Sequence, residues 1–120
     1  MDERRKFPRV NKNLPIKLSD HEFDILTETK NISANGAYCP VDRPLALMTK
    51  LDIVLLVAIP RNKSKVLKKI KCHGVVVRNE YVSANNGDNG KYHYRAAIYF
   101  NDLKERDRKV LSSYINSLLA

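Results

Sequence analysis

The feature that most constrains the fold is a two-residue alternation of apolar and polar side chains, which recurs through the first hundred residues. Such alternation is typical of β-strands that bury one face. It is seen in residues 14–18, 22–30 and 92–100. The segment from Leu51 to Ile59 is almost uniformly apolar and predicts a strand covered on both faces. With a further strand over residues 70–78, the chain has enough strands for a barrel or a sandwich.

After Phe100 the apolar period changes to the three-to-four-residue spacing of an amphipathic helix. Asp102 and Glu105 have the spacing of a capping box, so we expect the helix to begin at residue 102. Its apolar stripe is broad, which indicates that the helix packs against the strands or against a partner. Two polar segments, residues 60–65 and 83–90, are expected to form exposed loops.

Length, charge and cysteine content limit the possible functions. A chain of 120 residues fits one domain, and its formal net charge of +9 favours anionic partners such as phosphates, nucleic acid or an acidic membrane surface. Cys39 and Cys72 form no CxxC metal pair, and we expect both to be buried thiols. No basic region followed by an apolar region is recognisable at the N-terminus, so we expect no secretory leader, and no apolar run approaches the roughly 20 residues needed to span a bilayer. We therefore expect a cytoplasmic protein without a membrane span.

Three arginines lie within six residues near the N-terminus, at Arg4, Arg5 and Arg9. Pro8 has no amide hydrogen and disfavours helix at Phe7, so this segment is expected to be an extended and flexible arm. Guanidinium groups bind phosphates bidentately and stack on purine rings. We therefore predict that the arm wraps a phosphate-bearing ligand and is ordered by it.

A second polar motif follows at residues 31–36, with the sequence Asn-Ile-Ser-Ala-Asn-Gly. Strand geometry would place Asn31 and Ser33 on the outer face and Ile32 in the core. An amide and a hydroxyl can each donate and accept hydrogen bonds, which suits the edge of a guanine base. Gly36 would permit a turn or the close approach of a ligand. Because Asn31 has the parity of core-facing residues earlier in the chain, we expect a bend between Thr27 and Asn31.

The order and spacing of these motifs, RRxxxR over residues 4–9 and NxSxxG over residues 31–36, resemble the signatures of the PilZ family. Residues 73–78, residues 94–100 and the terminal helix also look like PilZ segments, so the resemblance covers nearly the whole chain. It implies an all-β fold, a six-stranded antiparallel β-barrel with one C-terminal α-helix. Residues 1–12 would then be the flexible arginine arm, residues 13–101 the barrel and residues 102–119 the helix of a single PilZ-like domain.

The resemblance implies a non-enzymatic bacterial receptor that binds cyclic di-GMP on the outer face of the barrel. Carried over by position, the ligand-binding residues would be Arg4, Arg5, Arg9, Asn31, Ser33 and Gly36. An arginine at the position of Arg4 accompanies, in similar proteins, the binding of two stacked ligand molecules. Many family members carry Asp where this chain has Asn31, which puts the affinity in question. We expect the receptor to signal through a downstream protein of the motility, exopolysaccharide or transcription machinery.

Two alternatives stay open at the level of the sequence. The positive charge also fits a basic β-barrel that binds single-stranded nucleic acid, although an aromatic platform for bases is missing. A PilZ-like adaptor without ligand would act through protein contacts alone, but the retained arginines, Ser33 and Gly36 speak against it. His21, His73 and His93 lack metal-ligand spacing, and no nucleophile and base pattern is recognisable. We therefore predict no enzyme activity, metal site or cofactor.

Overall fold

A computed structural model describes residues 7–82 and 92–119 of the chain. They form one antiparallel sheet of seven strands, followed by one helix. The strands are β1 (Pro15–Ser19), β2 (Asp24–Glu28), β3 (Asn31–Ser33), β4 (Gly36–Val41), β5 (Lys50–Arg61), β6 (Ser64–Tyr81) and β7 (Tyr94–Phe100), and the helix is α1 (Glu105–Leu119). The predicted all-β fold with a C-terminal helix is confirmed, with seven strands where six were expected.

The sheet curls into a half-barrel because its two edge strands are consecutive in the chain. The strand order is β2-β1-β5-β6-β7-β4-β3, so β2 and β3 lie at opposite edges, yet only Thr29 and Lys30 connect them. The end of β2 and the start of β3 are three residue steps apart and lie within about 11 Å of each other, so the edges must meet at this end. We call this meeting place of β2 and β3 the seam.

The bend expected between Thr27 and Asn31 is confirmed at the seam, where β2 ends at Glu28 and Lys30 adopts a bend. Thr29 is buried, and its hydroxyl donates to the Lys12 carbonyl at 2.6 Å and accepts from the Leu14 amide at 2.9 Å. The bend changes which alternate residues face the core, from odd-numbered residues in β2 to even-numbered residues at Ile32. It explains how Ile32, which has the opposite parity to Ile25, is also fully buried.

The longest pairing in the sheet is the hairpin of β5 and β6, whose register runs from Lys50 opposite Val75 to Arg61 opposite Ser64. The turn contains only two residues, and Asn62 has a φ of 56°, a left-handed conformation that asparagine tolerates better than most residues. The expected exposed loop at residues 60–65 is therefore confirmed as a tight hairpin tip. The second expected loop, residues 83–90, lies outside the described residues.

The core is formed by one face of each long strand. In β5 the buried residues alternate, at Leu51, Ile53, Leu55 and Val57. The prediction that this strand is covered on both faces was wrong, because Asp52 on the other face is exposed and the apolar residues beside it are only half-buried. Both cysteines are buried and free, as expected, and burial raises the pKa of each thiol to about 12.

Helix α1 packs on the barrel through Leu111 and Ile115, which are fully buried, so its predicted packing is confirmed. The predicted capping box is wrong. The helix begins at Glu105, and the Asp102 carboxylate instead accepts hydrogen bonds from the backbone amide and Nδ1 of His73, both at 2.6 Å. Across residues 7–82 and 92–119, no helix has the length and apolar character that crossing a bilayer would require.

Candidate functional site

The N-terminal segment is held against β3 at the seam. Val10 and Ile32 exchange two backbone hydrogen bonds of 3.0 Å, and both side chains are buried. Asn13 adds a side-chain hydrogen bond of 2.7 Å to the carbonyl of Thr29. Residues 7–12 were expected to belong to a flexible arm, but Val10 anchors this part of the chain. Arg4 and Arg5 lie outside the described residues.

This anchoring brings one residue of each motif together. Arg9 immediately precedes Val10, and its Nη1 donates a hydrogen bond of 3.3 Å to Oδ1 of Asn31. Arg9 is exposed and Asn31 is half-buried, so both present polar atoms to solvent. Two segments separated by 22 positions thus form one polar surface at the seam.

The turn between β3 and β4 buries a residue that we expected to face outward. Ser33 retains only 1% of its accessible surface, and its hydroxyl donates to Oδ1 of Asn35 at 2.6 Å. The Asn35 amide returns a hydrogen bond of 3.2 Å to the same hydroxyl, and the Asn35 carbonyl accepts from the Phe100 amide at 2.9 Å. The Ser33 hydroxyl therefore stabilises the turn, and the outward orientation predicted for it is wrong.

Gly36 permits the close approach of a neighbouring strand. It pairs with Tyr99 across β4 and β7, and a Cβ atom added to it would lie 2.5 Å from the carbonyl oxygen of Ile98. That position points toward the backbone of β7. The absence of a side chain is thus explained by sheet packing at the turn.

The polar surface continues from Asn31 across β4 and β7 to β6. Asn31 is opposite Tyr38, whose hydroxyl donates to the Glu80 carboxylate, and the Arg78 guanidinium carbon lies 5.7 Å from the centre of the Tyr38 ring. Burial and the bond to Glu80 raise the pKa of Tyr38, so its hydroxyl stays protonated at neutral pH. Asn31 was predicted from the sequence to bind ligand, whereas Arg78 and Glu80 were not.

The side chains of this surface suit an anion that carries aromatic rings. Arg9 and Arg78 supply positive charge, Asn31 supplies an amide, and Tyr38 supplies a ring. In the described part of the chain, no three His, Cys, Asp or Glu side chains are grouped so that they could hold a metal ion. We call the surface formed by Arg9, Asn31, Tyr38, Arg78 and Glu80 the seam site.

The fold and the seam site define a small curled β-barrel that closes with a C-terminal helix and exposes a basic and aromatic surface beside the seam. The PilZ domain family model matches residues 3–117, and the chain therefore belongs to the PilZ family. No curated protein matches the sequence.

Several solved structures share this fold. The Bacillus subtilis inhibitor of motility MotI/DgrA aligns with a TM-score of 0.74 and 19% identity, over 98% of this chain and 52% of its own. The Escherichia coli YcgR PilZ domain, solved with c-di-GMP, has a TM-score of 0.67 and 12% identity over 98% of this chain and 92% of its own. The K. pneumonia MrkH complex with c-di-GMP has a TM-score of 0.67 and 17% identity, over 98% of this chain and 53% of its own. The chain thus spans about half the length of MotI/DgrA and of MrkH.

Proposed function

We propose that this protein is a non-enzymatic receptor for cyclic di-GMP and that the seam site forms the described part of its binding surface. The observation that carries the proposal is the hydrogen bond between Arg9 and Asn31, which joins the two PilZ motifs in one place. Family membership and two c-di-GMP-bound structural relatives support the choice of ligand.

The chemistry of the seam site fits a cyclic dinucleotide with two phosphates and two guanines. Arg9 donates one N–H to Asn31, and its remaining N–H groups can donate to a phosphate. The Asn31 Oδ1 has a second lone pair that can accept a hydrogen bond from a guanine N–H. Tyr38 and the Arg78 guanidinium offer planar groups on which a base can stack.

Arg4 and Arg5 complete the site in this proposal. We assign Arg5, the other member of the RxxxR pair, to a phosphate and Arg4 to the face of a second stacked guanine. Ser33 and Gly36 contribute by fixing the turn that presents Asn31, because the Ser33 hydroxyl is bound within the turn and Gly36 allows close packing on β7. A stacked ligand dimer would give two molecules per chain.

Isothermal titration calorimetry with cyclic di-GMP tests the proposal, with cyclic di-AMP and GTP as controls for base and ring specificity. We expect saturable binding of cyclic di-GMP only. Arg9→Ala should weaken it about tenfold to a hundredfold, the cost of a lost charge-assisted hydrogen bond. Arg61→Ala, which removes an exposed arginine at the hairpin tip, is the matched control and should leave affinity unchanged.

Two results would contradict this assignment. Absence of binding heat at high ligand concentration would contradict the receptor function. It would favour the alternative of a PilZ-like adaptor that binds no ligand. Equal binding of cyclic di-GMP and single-stranded DNA, falling together as salt increases, would favour the nucleic-acid alternative, because phosphate contacts alone are strongly salt-dependent.

The receptor would act by changing its contacts with another protein. MotI/DgrA is an inhibitor of motility, and another structural relative is the PilZ domain of CeSA from a cellulose-synthesising bacterium, with a TM-score of 0.57 and 12% identity over 94% of this chain and 99% of its own. These relatives support a downstream partner in motility or exopolysaccharide synthesis, with transcription machinery as the further option. Pull-down with and without cyclic di-GMP, compared with Arg9→Ala, would test whether partner binding depends on ligand.

A further inference from the structure

Arg108 of helix α1 contacts both segments that build the seam site. Its Nη1 donates a hydrogen bond of 3.1 Å to the carbonyl of Ala34, which lies in the turn between Ser33 and Gly36. Its guanidinium carbon lies 5.5 Å from the centre of the Phe7 ring, two residues before Arg9. One side chain therefore links the N-terminal segment, the β3–β4 turn and the helix.

The chemistry of arginine suits this double contact. A guanidinium group is planar, so its edge can donate to a carbonyl while its face covers an aromatic ring. Arg108 is half-buried and Ala34 is buried, so water competes less for these contacts than at an open surface. A lysine could point its ammonium group at the carbonyl or the ring, but it has no plane with which to satisfy both.

Within residues 7–82 and 92–119, a cleft lies beside the contacts of Arg108. This cleft of about 170 Å³ lies between the N-terminal segment, the turn and the helix, lined by Phe7, Pro8, Ala34, Ser112, Ile115 and Asn116. Phe7 and Ala34 both line this cleft, and Arg108 contacts both of them. The two contacts of Arg108 connect the N-terminal segment, the turn and the helix, and they can fix the distance between Phe7 and Ala34.

We propose that Arg108 is a positioning residue of the seam site, which holds Phe7 and the Ala34 turn in the relative placement that brings Arg9 to Asn31 and ties the occupied site to helix α1. This inference rests on the proposed function. It adds a residue outside both motifs and names α1 as the element that responds to ligand.

Cyclic di-GMP titrations of Arg108→Ala, Arg108→Lys and Arg106→Ala test the inference. Arg106 is an exposed arginine of the same helix and serves as the matched control. We expect Arg108→Ala to weaken binding about tenfold, Arg108→Lys to weaken it less, and Arg106→Ala to stay within about twofold of wild type. Circular dichroism of each variant verifies that the fold is retained, and Arg108→Lys gives the decisive comparison if Arg108→Ala does not fold.

A double-mutant cycle and hydrogen exchange separate positioning from general destabilisation. Phe7→Leu and Arg108→Ala should be non-additive in binding, because each removes the same link. Saturating cyclic di-GMP should slow amide exchange in α1 of the wild type but not of Arg108→Ala. A wild type that binds ligand, together with Arg108→Ala of equal affinity and equal α1 protection, would overturn this inference and leave the receptor function intact. A wild type that binds no ligand would overturn the receptor function itself, and this inference with it.

Discussion

Replacing Gly36 with alanine should destabilise the barrel, because the added methyl group would meet the backbone of β7. A Cβ atom at this position lies 2.5 Å from the Ile98 carbonyl oxygen. To reach an ordinary van der Waals separation, the two atoms must move apart by about 0.9 Å. The obstacle is backbone in a ladder that pairs Gly36 with Tyr99 and Ala37 with Ile98, so no side-chain rotation can relieve the contact.

We expect Gly36→Ala to lower the free energy of unfolding by about 2 kcal/mol, within the range found when a packed interior receives an extra methyl group. For a domain of this size, the melting temperature should fall by about 8 °C. Urea unfolding followed by circular dichroism measures the loss directly. Gly74→Ala provides a parallel case, since its Cβ would lie 2.7 Å from the Tyr99 carbonyl oxygen.

The outcome also decides what Gly36 does for the ligand. If it acts through sheet packing, Gly36→Ala should lose stability in the absence of any nucleotide, with weaker cyclic di-GMP binding as a secondary effect of a displaced turn. An unfolding free energy within about 0.5 kcal/mol of wild type would refute the steric argument. Weak binding by such a stable variant would instead indicate direct approach of the ligand to Gly36.

Three further substitutions test separate parts of the structure. Asn31→Asp should strengthen cyclic di-GMP binding about fivefold to tenfold in calorimetry, because a carboxylate accepts hydrogen bonds from guanine and Arg9 with charge assistance; unchanged affinity would contradict this. Thr29→Val should cost about 2 kcal/mol in urea unfolding, because the buried Leu14 amide and the part-buried Lys12 carbonyl lose their hydroxyl partner. An unchanged free energy of unfolding would show that both groups find other partners. The hydrogen bond to Asp102 raises the pKa of His73 above 6.5, so the pair stabilises the fold at lower pH and this contribution is lost as pH rises through the raised pKa. The difference in melting temperature between wild type and His73→Gln should therefore shrink as the pH rises through the raised pKa of His73, whereas a constant difference would exclude the ionised pair.

The sequence predicts this fold best where a strand buries one face. In β7, alternation identified Ala96, Ile98 and Phe100 as core residues, and all three are buried. Strand β4 was not predicted as a separate element, because Pro40 interrupts it and several of its consecutive residues are buried. The helix start was misplaced because the Asp102 carboxylate binds His73, a tertiary contact across 29 positions that local capping rules do not include.

The seam site was predictable only in part. Motif order suggested that Arg9 and Asn31 act together, and they do contact each other. Arg78 and Glu80 were missed because their approach to Tyr38 depends on the register of three strands and on an irregularity between Val76 and Arg78, which no residue type marks. The contact from α1 to the turn spans 74 positions and has no local signal in the sequence.

The tight turn between β5 and β6 also bears on the order in which the chain folds. Contacts across this hairpin close short loops and lose little chain entropy, so we expect them to form early. The pairing of Val10 with Ile32 needs a curled sheet and should form after the transition state. Cyclic di-GMP bound at the seam would then slow unfolding in stopped-flow experiments and leave the refolding rate nearly unchanged. The ligand would lengthen the lifetime of the native state without helping the chain to reach it.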